Sequence, residues 1–75
     1  MAPEEIAASV FGLSPSRITG TTSNQTLPEW DSLGHMNLII ELESRYGVSF
    51  SPEEALAMTS MEAIKRALAS HGIRW

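Results

Sequence analysis

Residues 30–50 read Trp30-Asp31-Ser32-Leu33-Gly34-His35-Met36-Asn37-Leu38-Ile39-Ile40-Glu41-Leu42-Glu43-Ser44-Arg45-Tyr46-Gly47-Val48-Ser49-Phe50, and the fold turns on them. Asp31-Ser32 is a helix start, and the apolar spacing predicts a helix from Leu33 to Tyr46 that Gly47 ends. Val48 and Phe50 then return to the core. At about 100° per residue, Leu38, Ile39, Leu42 and Tyr46 share one arc, which alone suffices as a core face. Leu33, Met36 and Ile40 form a second arc beside it. The polar sector is narrow and holds Asn37, Glu41, Ser44 and Arg45. A surface helix needs an apolar stripe of only ~100°, and this one spans about twice that. Two readings stay open: a central helix packed on two sides, or an apolar arc left exposed for docking. Met36 suits docking, because a flexible thioether adapts to different partners.

Before this helix, Ser14 to Asp31 has no periodicity. Ser14-Pro15-Ser16, Thr19-Gly20-Thr21-Thr22-Ser23-Asn24 and Leu27-Pro28 make it polar and rich in breakers. It is far longer than the ~4–6 residues of a routine connection. Ile18, Leu27 and Trp30 are spaced along it as anchors, which predicts an ordered loop pinned to the core. Upstream, Pro3-Glu4-Glu5-Ile6 starts a helix with Pro in the first turn and acids at the positive end of the dipole. Ile6, Val10 and Phe11 form its apolar stripe, and Gly12 ends it near Phe11. Downstream, Ser51-Pro52-Glu53-Glu54 is a capping box opening a short helix from Pro52 to about Met58. Thr59-Ser60-Met61-Glu62 reads as a second capping box, leading a helix through Met61, Ile64, Ala67 and Leu68 to near Gly72. No strand pattern is convincing. The expected fold is all-α, with three substantial helices, one short helix and one long ordered loop.

Composition narrows the function. The chain has 75 residues, room for one small domain over residues 1–75 and none for a two-lobed enzyme. A domain of this size buries roughly 60% of its unfolded surface, and 43% hydrophobic against 19% charged residues rules out a disordered tail. Five Lys/Arg face nine Asp/Glu, for a net charge of −4, so nucleic acid is excluded as a partner. There are no cysteines, which removes disulfides, thiolate metal sites and a cysteine nucleophile. No apolar run reaches the ~20 residues that span a bilayer, and no signal peptide opens the chain. A soluble, cytoplasmic, free-standing domain beginning at Met1 is expected.

The chemical candidates are few. His35 and His71 are the only histidines, and neither has a second ligand at metal spacing. His35 lies one turn beyond Ser32, but nucleophilic catalysis also needs an orienting acid, an oxyanion hole and a dry pocket. A partly exposed polar histidine is the expected outcome. Glu4/Glu5 and Glu53/Glu54 read as helix-start charges. Trp30 reads as a loop anchor, and Trp75 either folds back or stays free. Asp31 or Ser32 merely capping the helix accounts for both residues. A phosphate ester on Ser32 would nevertheless sit at a helix N-terminus, where free N–H groups favour negative charge.

Asp31-Ser32-Leu33-Gly34-His35-Met36, followed by Asn37-Leu38-Ile39-Ile40-Glu41-Leu42-Glu43, resembles the modification motif and second helix of acyl carrier proteins. The Leu38/Leu42/Tyr46 spacing, Gly47-Val48-Ser49-Phe50, Pro52-Glu53-Glu54 and Thr59-Ser60-Met61 follow in family order, so the resemblance runs from about Ile6 to Leu68. It implies a four-helix bundle that is not itself an enzyme. It also implies that Ser32 carries 4′-phosphopantetheine, attached from coenzyme A by a phosphopantetheinyl transferase, with Asp31 and Leu33 beside the attachment point. The group's thiol would hold acyl groups as thioesters, so the missing sulfur would be imported. Leu33, Met36 and Ile40, with Asn37 and Glu43 beside them, match the helix face that partner enzymes read. Those partners would be acyl-activating enzymes or acyltransferases and ketosynthase-type or other acyl-using enzymes of fatty-acid, polyketide or related specialised biosynthesis, meeting a monomeric carrier. Pro28-Glu29-Trp30 stands where peptidyl carriers often show Gly-Gly. Gly34, His35, Asn37 and Ser44 take much of the exposed sector of the second helix, leaving Glu41 and Glu43, so charge steering of basic partners is expected to be weak. An amino-acyl, D-alanyl or peptidyl carrier, an unmodified helical adaptor, and a small Ser32/His35 hydrolase are the alternatives.

Overall fold

A computed structural model describes residues 2–75. It is all-helical: α1 (Pro3–Phe11), α2 (Ser32–Tyr46), α3 (Pro52–Ala57) and α4 (Met61–Ser70), with one 3-10 turn at Pro15–Arg17. The pairing of strands among the described residues is limited to an isolated bridge between Ser23 and Ser60. Helices α1, α2 and α4 and the long loop enclose one core. Leu38, Leu42, Met61, Ile64 and Leu68 are fully buried in it, each such side chain stabilising the fold by roughly 1.5–3 kcal/mol through transfer from water.

The boundaries follow local chemistry. Pro3 occupies the first turn of α1, and the Glu5 carboxylate accepts from the Ala2 backbone N–H at 2.9 Å. Gly12 adopts the left-handed conformation (φ 70°) that a side chain resists, which lets Leu13 N–H return to the Ala8 carbonyl at 2.9 Å. Of the predicted stripe, Ile6 is buried, and Val10 and Phe11 pack half-buried against the core. An ion pair between Lys65 and Glu4 ties α4 to α1. At the far end of α2, burial first and then the charges of Glu4 and Glu5 push the Tyr46 phenol above its ordinary 10.0.

The loop is pinned as expected: Ile18, Leu27 and Trp30 are all buried. It also sets where α4 begins. The Thr22 carbonyl accepts from Met61 N–H at 2.9 Å, and Thr59 carbonyl accepts from Asn24 N–H at 3.0 Å. This corrects the second capping box. Ser60, not Thr59, is the N-cap, its hydroxyl accepting from Ala63 N–H at 3.1 Å. Thr59 is drawn into the loop bridge, and Glu62 is left to pair on the surface with Arg66.

α3 forms as expected from Ser51, whose hydroxyl accepts from Glu54 N–H (3.1 Å) while the Glu54 carboxylate accepts from Ser51 N–H (3.0 Å). It ends at Ala57, one residue short, because Met58 turns inward and is buried. None of its own residues is buried.

Candidate functional site

The site is built around the first turn of α2. Asp31 is extended and caps the helix: its Oδ1 accepts from Gly34 N–H at 2.8 Å, and its carbonyl accepts from His35 N–H at 2.8 Å. Capping is therefore done by Asp31. Ser32 is the first helical residue, exposed, and among the described residues its hydroxyl makes no hydrogen bond. The backbone N–H groups of Ser32 and Leu33 lie in the part of the helix that has no intrahelical partner, at the positive end of the dipole.

Gly34 allows the loop to reach this turn. A Cβ there would lie 2.6 Å from the Glu29 carbonyl oxygen and 3.0 Å from Phe11 Cε1. Trp30 is then held between α1 and α2, with its ring centroid 5.5 Å from that of Phe11. Its indole N–H donates to His35 Nδ1 at 3.0 Å. An indole only donates, so Nδ1 is the acceptor and the neutral ring carries its proton on Nε2. That Nε2–H donates to the Ala55 carbonyl in α3 at 2.7 Å.

Two expectations are corrected here. His35 is partly exposed as expected, yet it and Gly34 are half-buried and do not belong to the exposed sector of α2. His35 lies on the same helical arc as Leu38 and Leu42, a signal already present in the periodicity and masked by the polarity of imidazole. With both ring nitrogens bonded elsewhere, His35 has no lone pair to offer Ser32 as a base.

The second apolar arc is exposed: Leu33, Met36 and Ile40 show 68%, 62% and 57% of their surface. Leu56 of α3 joins them, also exposed. Asn37 lies on the same exposed face. Glu43 is half-buried, with Oε2 accepting from Phe50 N–H at 2.9 Å and thereby fastening the α2–α3 link. A hollow of about 270 Å³ adjoins Ser32, lined by Asn24, Trp30, Asp31, His35, Leu56 and Thr59. On the other side of His35 an apolar groove of about 380 Å³ runs between α2 and α3. At the start of α3, the Ser51 backbone N–H and then the His71 side chain hold the Glu54 carboxyl below its ordinary 4.5.

Among the described residues there is no cluster of three metal-ligating side chains, and no helix is long and apolar enough to cross a membrane. No protein-family model matches the chain. A curated acyl carrier protein of Rubrobacter xylanophilus is 37% identical to it over 59 residues, which are 79% of this chain and 73% of that protein. The chain belongs to the acyl carrier protein family. It is accordingly a carrier and not an enzyme, and its helical architecture is that of the family's bundle. Acyl carrier proteins work with acyl-using enzymes and generally carry phosphopantetheine. The residues at the start of α2 fit such a group: an exposed hydroxyl free of internal bonds, unpaired N–H groups beside it, and a hollow offering Asn24 and Thr59 as polar partners.

Proposed function

We propose that Ser32 carries 4′-phosphopantetheine and that the chain shuttles acyl thioesters between enzymes of fatty-acid, polyketide or related specialised biosynthesis. The observation that carries this reading is the division between Asp31 and Ser32: the carboxylate caps α2, and the hydroxyl one position on is exposed and unbonded. Once bound, the group supplies a thiol to a chain with none.

The chain's own residues do the rest. The first-turn N–H groups and the dipole of α2 favour the phosphodiester charge, an effect typically worth ~0.3–1 kcal/mol on a surface. The Asp31 oxygen not used for capping faces the incoming phosphopantetheinyl transferase and its metal ion. Leu33 flanks the attachment point. Leu33, Met36 and Ile40, with Asn37 beside them and Glu43 on the same face, form the surface read by acyl-activating enzymes, acyltransferases and ketosynthase-type partners. Burying such a patch against a partner is favourable, and few charges on this face must be stripped of water. Residues 1–75 act as one carrier domain, monomeric and cytoplasmic.

Intact-mass measurement after incubation with coenzyme A and a broad-specificity transferase tests the reading. The expected result is a gain of one phosphopantetheine in the wild-type chain and none in Ser32→Ala. No gain under conditions that modify a control carrier overturns it.

A further inference from the structure

We infer that His35 is a positioning residue that keeps the acyl tail of a loaded chain in the outer groove between α2 and α3 and out of the bundle. The inference rests on the proposed attachment at Ser32. The Ser32 hollow and the apolar groove share two walls, His35 and Leu56. The hollow is polar, with Asn24, Asp31 and Thr59; the groove is apolar, with Met36, Ile40 and Pro52. An arm that starts at Ser32 and ends in an apolar tail meets the imidazole where the two surfaces join.

The ring is fixed there. Nδ1 accepts from Trp30 and Nε2–H donates to Ala55, and a 180° turn about its axis would set carbon atoms against both partners. Trp30, the buried partner of Nδ1, lies with its ring centroid 6.3 Å from that of the imidazole. Beside it, α3 depends on polar ties. No residue of Pro52–Ala57 is fully buried; Ala55 alone packs part-buried against the core, and the polar ties to the rest of the fold are Ala55 to His35 and Glu54 to His71. A tail passing inward beyond His35 would have to displace the ring, break both of its bonds and free the α3 backbone at Ala55. A tail lying along Met36, Ile40 and Leu56 breaks nothing.

The absence of cysteine allows a direct test on the full chain. Ser32→Cys is alkylated with a maleimide bearing a pantetheine-length diamide spacer and either an ethyl or a dodecyl end, and methyl NMR spectra are compared. With His35 present, changing ethyl to dodecyl is expected to shift the Met36, Ile40 and Leu56 signals. Leu38, Leu42 and Ile64 signals and the melting temperature should stay unchanged. In His35→Phe, which keeps a ring and loses both bonds, the dodecyl shifts should reach Leu38 and Met58, and the melting temperature should rise with tail length. His35→Gln, which keeps a donor for the Ala55 carbonyl, should restore the outer pattern. If the His35→Phe variant does not fold, Trp30→Phe keeps an aromatic ring, removes the donor to Nδ1 together with part of the buried indole, and should show an intermediate response. Dodecyl-induced shifts of core signals with His35 present, no shifts in either set, or an unchanged outer pattern in both His35→Phe and Trp30→Phe would each overturn the inference. The label needs no transferase, so these outcomes are independent of the mass measurement on Ser32.

Discussion

α2 and α3 flank one groove and are held in opposite ways. α2 has fifteen residues and is fixed by the buried side chains of Leu38, Ile39 and Leu42. α3 has six residues, none fully buried, and is fixed by a capping box, two histidine contacts and the part-buried Ala55. One wall of the groove is thus set by the hydrophobic core and the other mainly by directional polar bonds. Core packing resists any displacement, whereas a few hydrogen bonds resist only until water or a ligand replaces them.

The largest test of this contrast is truncation of a leucine on each helix. Leu42→Ala should cost about 2–5 kcal/mol in urea denaturation, because it opens a cavity at a site with no exposure. Leu56→Ala should change stability by no more than ~0.5 kcal/mol, since three quarters of Leu56 is already in water (76% exposed). A comparable loss at both positions would break the comparison.

Gly34→Ala comes next. The added methyl meets backbone, the Glu29 carbonyl at 2.6 Å, which has less freedom to yield than a side-chain tip. A destabilisation of about 1–3 kcal/mol is expected, with altered Trp30 fluorescence as the loop is pushed from α2. Unchanged stability and fluorescence would show that the Glu29–Trp30 segment is not held against the helix.

Ser51→Ala should cost about 0.5–2 kcal/mol by removing the cap of α3. The loss should appear as faster amide exchange within residues 52–57, with protection in the middle of α2 retained. The smallest effect is that of acid. Glu54 is held below its ordinary 4.5, so the unfolded state takes up that proton more readily than the folded one. The stability it contributes is present above the ordinary carboxylate range and fades as pH falls through the lowered folded value. Acidification should therefore loosen α3 before α2 by amide exchange, and Glu54→Gln should remove that part of the pH dependence.

Much of this is legible in the sequence, for identifiable reasons. α1 is bounded by Pro3 and Gly12, residues whose backbone preferences act locally, and both ends are where the sequence puts them. The surplus arc of Leu33, Met36 and Ile40 is visible as periodicity, and the fold leaves it exposed. The sequence alone misplaces the cap of α4 by one residue because Thr59 and Ser60 are equally good caps locally. The choice between them is made by loop segments more than thirty residues away, through Thr22 and Asn24. Hydropathy puts His35 on the wrong side of α2, where helical position alone puts it on the right one. Its partners are an indole that polarity does not advertise and a carbonyl twenty residues on. Gly34 passes for surface filler in the sequence, since a close approach between two backbone segments leaves no trace in composition.

The single-residue offset between Asp31 and Ser32 separates two quantities that are often linked in proteins, thermodynamic robustness and reactivity. The carboxylate that secures the helix is not the oxygen proposed to carry the prosthetic group, so occupying or clearing that oxygen need not alter the first turn. The core is thus open to engineering for heat tolerance without retuning the handle. The handle, in turn, can be exchanged for a thiol by Ser32→Cys, or deleted, without rebuilding the scaffold.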